Sequence, residues 1–100
     1  MTPIGIEYSL GALLDLEQIA HYLHQRSPDL APRGIELIAH AIDALSDHPR
    51  IGRPTRHGLR ELVISRGLTG FVALYRYDEG LSRGLVLALR GQREAGFEFD

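Results

Sequence analysis

One hundred residues, 44% hydrophobic and 24% charged, suffice for one compact core and leave no room for a second. Cysteine is absent, which excludes disulfides and thiolate metal sites, and no apolar run approaches the roughly 18 residues of a membrane-spanning helix. The formal net charge of −2 hides a division: residues 1–49 hold two arginines against seven acids, residues 50–93 hold nine arginines against three, and no basic residue is a lysine.

Ile4 to Tyr8 alternates apolar and polar side chains, the two-residue period of a strand. Ser9 then stands as an N-cap ahead of Leu13, Leu16, Ala20 and Leu23, with Ile19 beside them, and this spacing predicts an amphipathic helix ending near Arg26. Ser27-Pro28 reads as a stop and restart, with Ser27 capping a second helix and Pro28 at its first position. That helix is expected to bury Ile35, Ile38, Ile42 and Leu45, to be loosened in its first turn by Pro32, and to close at Asp47-His48-Pro49. Two helices of about five turns each, joined by almost nothing, form an αα-hairpin.

Residues 51–58 are a connector rich in Gly, Pro and Arg, after which the period changes to two. Leu59–Ser65, Phe71–Tyr77 and Leu85–Leu89 read as three strands of an antiparallel meander, with turns at Gly67-Leu68-Thr69-Gly70 and at 78–84. The predicted order is β-α-α-β-β-β within a single domain spanning 1–100, residues 94–100 forming a short tail. The fold class is α+β, a helical hairpin packed on one face of a small, curved, mainly antiparallel sheet whose other face is open.

Guanidinium groups suit phosphate and carboxylate, so the arginines are the first candidates for a site. Arg60 begins one strand, Arg76 lies near the end of its neighbour, Arg66 follows the first of them, and Arg90 and Arg93 follow the last. If Arg60 and Arg76 project from the open face, they meet one anion; the alternative is surface pairing with Glu61, Glu79 or Glu94. His57, near Arg60, is the one histidine placed to act as a base, and otherwise it is a solvated loop residue. His21 and His24 share a helix face but lack a third ligand, so no metal is expected. The 67–70 glycines have neither the lysine nor the helix of a phosphate loop, and no cofactor is expected. Tyr75 and Tyr77 share a strand side with Phe71 and Ala73, which reads as core, with base stacking on an exposed sheet as the alternative.

Several phrases resemble the RelE/ParE toxin family. They are Ala12-Leu13-Leu14-Asp15-Leu16-Glu17-Gln18-Ile19 in the first helix, His48-Pro49-Arg50-Ile51-Gly52-Arg53-Pro54 after the second, Gly58-Leu59-Arg60-Glu61-Leu62, Gly70 to Tyr77, and Leu89-Arg90-Gly91-Gln92-Arg93-Glu94-Ala95-Gly96-Phe97. Together they span almost the whole chain. The resemblance implies the toxin of a type II toxin–antitoxin pair, of a kind tied to plasmid stabilization and neutralised by a cognate antitoxin. Two activities are known in the family: ParE-like poisoning of DNA gyrase, and RelE-like cutting of messenger RNA on the ribosome.

Metal-independent RNA cleavage needs a base, cationic donors and an acid. Arg60 and Arg76 suit only the anion-stabilising role, because guanidinium does not shuttle protons at neutral pH. Many relatives carry a histidine and an aromatic hydroxyl where this chain has Gly91 and Phe97. The expectation is therefore a cytoplasmic ParE-like toxin without chemistry of its own, which contacts gyrase or antitoxin through Arg60, Arg66, Arg76, Arg90 and Arg93. The alternatives are a RelE-like ribonuclease acting on ribosome and mRNA, and an inactive relative that binds partners. An acidic, partly disordered antitoxin segment would wrap the helical hairpin and the positive sheet in an oligomeric complex.

Overall fold

The structure is a computed structural model, which describes residues 2–64 and 70–91. Strand β1 (Gly5–Tyr8) leads into helix α1 (Leu10–Arg26), helix α2 (Ala31–Asp43) follows, and one 3-10 turn over Ala44–Ser46 ends the helical part. A two-residue strand β2 (Arg53–Pro54), a 3-10 turn over Arg56–Gly58, and strands β3 (Leu59–Val63), β4 (Phe71–Asp78) and β5 (Arg83–Gly91) complete the chain. The sheet order is β1-β5-β4-β3-β2, antiparallel throughout except for the parallel pairing of β1 with β5. This is the expected α+β layering, helices on one face of a mainly antiparallel sheet.

The Ser9 hydroxyl accepts the Ala12 N–H at 3.0 Å, so α1 starts where its capping residue stands. Its buried stripe runs through Ala12 and Ile19 with Leu16 and Leu23 half-buried, whereas Leu13, expected inside, is 50% exposed. The predicted restart at Ser27-Pro28 is not realised. Ser27 leaves the helical region, and its N–H bonds back to Leu23 O at 2.8 Å and closes α1; its carbonyl accepts the Leu30 and Ala31 N–H groups in a turn, but its side chain caps no helix and α2 starts only after that turn. Helix α2 begins at Ala31 and has 13 residues, shorter than expected, with Pro32 in its first turn where a missing N–H costs nothing. Gly34 lies close against α1, since a Cβ there would stand 2.8 Å from Leu23 Cδ1.

Ile38, Ile42 and Leu45 bury the α2 side of the core against Phe71, Ala73, Tyr75, Val86 and Leu89. Tyr75 is only 1% exposed, so the tyrosine offered for base stacking belongs to the core. A smaller cluster of Leu74 and Ala88, flanked by Leu59, Val72 and Leu87, packs apart from it. Between Leu74 and Tyr75 the β4–β5 pairing passes from Ala88 to Val86, making Leu87 the extra residue of a β-bulge.

Beyond Val86, β5 has no β1 residue opposite it, and α1 with its capping serine supplies partners instead. Ser9 Oγ donates to Leu87 O at 3.2 Å, and Asp15 Oδ2 accepts the Leu89 N–H at 3.0 Å. Ser65, the Gly67-Leu68-Thr69 turn and the 94–100 tail lie outside the described residues.

Candidate functional site

The register decides which arginines can act together. Arg60 lies opposite Tyr75 and Leu59 opposite Arg76. Directly opposed residues share a face and consecutive residues alternate, so Arg60 and Arg76 project from opposite faces of the sheet. The condition for their meeting one anion, projection of both from the open face, is therefore not met. Arg60 turns beneath the connector, where its Nη1 donates to Gly52 O at 2.8 Å and Arg50 O at 3.1 Å. Arg76 is exposed, with no hydrogen-bond or ion-pair partner among the described residues.

Neither arginine takes Glu61 or Glu79, the two expected carboxylates among the described residues. Glu61 pairs with Arg53 at 2.5 Å, and Glu79 pairs with Arg50, whose guanidinium also lies 5.1 Å from the Tyr77 ring centroid. Arg83 pairs with Glu7 at 2.6 Å, and Arg90 with Asp15 at 2.7 Å. Arg66 and Arg93 lie outside the described residues, as does Glu94.

What the structure does bring together is a clamp on the loop between α2 and β2. The Tyr75 hydroxyl accepts the Gly52 N–H at 2.9 Å and donates to Pro49 O at 2.8 Å. Burial pushes the Tyr75 phenol above its ordinary pKa, against smaller opposing effects of the Gly52 bond and the Arg60 charge. It therefore stays protonated and able to donate at neutral pH. Gly52 admits this contact because it lacks a side chain: a Cβ would stand 2.6 Å from Tyr75 Cε1 and 2.9 Å from Glu61 O.

Above the clamp, β2 and β3 form a hairpin, with the Thr55 N–H bonded to Leu59 O at 2.8 Å. His57, at its tip, is exposed in the left-handed region at φ 60°, followed by Gly58 at φ 73°. The imidazole thus stands at the hairpin end while the Arg60 guanidinium is turned under the loop. Arg56 beside it is exposed and has no partner among the described residues.

His21 and His24 line a groove of about 790 Å³ between the helices with Ala20, Ala31, Pro32, Ile35, Glu36 and Ala39. Among the described residues no three His, Cys, Asp or Glu side chains are grouped to share a metal ion, and no helix is long and apolar enough to cross a membrane. Sequence reading missed the roles of Asp15 and Gly52. Both lie in the phrases quoted above, but their partners, Leu89 and Tyr75, are far along the chain.

Comparison with known proteins bears on the family and the fold. The family model for the ParE toxin of the type II toxin–antitoxin system parDE matches residues 6–96. Toxin RelE3 of Caulobacter vibrioides is 35% identical over 72 residues, covering 72% of this chain and 78% of its own. Two solved structures share the fold, each at 23% identity. The chromosomal ParDE system from P. aeruginosa superposes with a TM-score of 0.71, over 88% of this chain and 95% of that one. The toxin–antitoxin complex RelBE2 from Mycobacterium tuberculosis does so with a TM-score of 0.66, over 91% and 100%. A match spanning nearly the whole chain, on a sheet and helical hairpin of this order, makes the protein a member of the ParE toxin family within the RelE/ParE superfamily of type II toxins.

Proposed function

We propose that this toxin acts in the ParE manner, binding DNA gyrase in the cytoplasm and stalling it, and that a cognate antitoxin holds it inactive. The observation that carries the reading is the separation of Arg60 from Arg76. A nuclease needs cationic donors and proton-transfer groups converging on one phosphate. Here Arg60 is engaged with the Arg50 and Gly52 carbonyls on one face, and Arg76 stands on the other. Gly91, where relatives carry a histidine, supplies no proton.

Purified toxin is expected to inhibit gyrase supercoiling at micromolar concentration, and unaffected supercoiling would sink the gyrase target. Ribosomes whose transcripts are cut by the toxin, and spared by its Arg76→Ala variant, would establish the RelE-like reading instead.

The antitoxin reading draws on the toxin–antitoxin complexes that share the fold and on the positive second half of the chain. Arg66, Arg76, Arg90 and Arg93 are its proposed contacts with antitoxin or target, and Arg60 contributes through the loop it holds. Co-expression with the adjacent reading frame is expected to yield a soluble complex of both proteins. A toxin recovered alone and still lethal would count against it.

A further inference from the structure

We infer that the 47–58 segment is the surface with which this toxin grips an acidic site on its protein target. The inference rests on the reading that the target is a protein, and it names the part of the toxin that touches it.

Three observations meet there. First, the backbone is fixed in advance. Arg60 holds the carbonyls of Arg50 and Gly52, Tyr75 holds Pro49 and Gly52, and the Ile51 N–H returns to His48 O at 3.1 Å. A loop held this way from below loses little further freedom on binding. Second, the side chains left on its outer surface make no use of this rigidity inside the fold. Ile51 is 58% exposed beside a shallow depression of about 390 Å³ that it lines with Asp47, His48, Pro49 and Arg50, and Arg56 and His57 stand free at the hairpin tip among the described residues. Third, His57 holds a left-handed conformation that a non-glycine side chain adopts at a cost, and such residues concentrate where a surface is shaped for contact.

Charge and chemistry select the occupant. Among the described residues, Glu61 and Glu79 are engaged by Arg53 and Arg50, Arg56 and His57 have no acid of their own, and Asp47 is the one acid lining the depression. An exposed isoleucine beside the depression and, further along the same segment, the Arg56 guanidinium at the hairpin tip match a protein surface that offers an apolar recess and a carboxylate. Single-stranded RNA would be met by aromatic platforms, but Tyr75 is buried and the Arg50 guanidinium lies over Tyr77.

The test uses the full chain with Ile51→Glu, Arg56→Glu and the double change, and Leu30→Glu, exposed on the turn between the helices, as control. Purified gyrase is the probe, with supercoiling inhibition and direct binding as readouts and circular dichroism melting to verify the fold. The expected result is a loss of at least about tenfold in each single variant and none in the control, with unchanged melting. Inhibition equal to wild type in all variants overturns the surface and leaves the gyrase target standing. If wild-type toxin does not touch gyrase, that target falls, and growth arrest becomes the readout. A double variant that arrests cells like wild type then overturns the surface, and one that has lost arrest while still co-purifying with antitoxin supports it for another protein. Loss of antitoxin capture in the variants, or loss of transcript cleavage on ribosomes, overturns the proposal in favour of antitoxin or RNA at this surface.

Discussion

The Tyr75 hydroxyl does two jobs, as donor and acceptor, at a site closed to solvent. Tyr75→Phe leaves the Gly52 N–H and the Pro49 carbonyl without partners, and a buried unsatisfied group costs about 1–3 kcal/mol. The expected loss of stability in urea unfolding is of that size. The phenol's raised pKa adds a pH signature. Folding favours the protonated form, so this contribution is complete below the ordinary value of 10.0 and is lost as pH rises through the higher folded-state value. Wild-type stability is expected to fall above about pH 10. Tyr75→Phe should fall less steeply, retaining the part due to Tyr8, whose pKa burial and Asp43 also raise. Gly52→Ala is expected to be at least as harmful as Tyr75→Phe, because its methyl would meet the Tyr75 ring and the Glu61 carbonyl at under 3 Å. A Gly52→Ala protein as stable as wild type would show that the loop can lift off its clamp.

At the scale of elements, β5 depends on α1 for what a neighbouring strand would otherwise supply. Asp15 accepts the Leu89 N–H and pairs with Arg90, so Asp15→Ala removes an acceptor and a charge together. Its expected cost is about 1–3 kcal/mol, whereas Asp15→Asn keeps an oxygen for Leu89 and should lose less. Amide hydrogen exchange checks this directly, with Leu89 losing protection in the alanine variant and keeping most of it in the asparagine one. The same region shows what the sequence could and could not disclose. The Ser9 cap, the stripe through Ile19 and the alternation of β4 were legible because each depends on neighbours a few residues away. Strand β2 was not, since two residues show no period, nor was the bulge at Leu87, which exists only in the pairing of two strands. The placement of Arg60 failed for that reason too: its face is set by register against Tyr75, and nothing within the phrase Gly58-Leu59-Arg60 encodes it. The restart at Ser27 failed because one serine can stand at the end of one helix as well as the start of the next: Ser27 is the C-cap of α1, and a turn separates it from α2.

Across the whole molecule, the acidic first half and the basic second half are joined by one core, with side chains from both helices in the same cluster as β4 and β5. The first strand also pairs with the last, so the sheet is complete only when the two ends of the described fold have met. Neither layer can then lose its packing while the other keeps it. Helix α2 presents Ile38 and Ile42, and the 3-10 turn after it Leu45, to the cluster that holds Tyr75. Ile42→Ala tests this interdependence, because Ile42 is fully buried and its truncation should cost about 2–5 kcal/mol. Far-ultraviolet circular dichroism reads the helices, and tyrosine fluorescence, in a chain without tryptophan and with the helical Tyr22 changed to Phe, reports on the sheet through Tyr8, Tyr75 and Tyr77. Both signals are expected to shift to the same lower midpoint in one transition. Separate midpoints, with helices melting before the tyrosines respond, would mean that the sheet and its clamp stand without the helical layer.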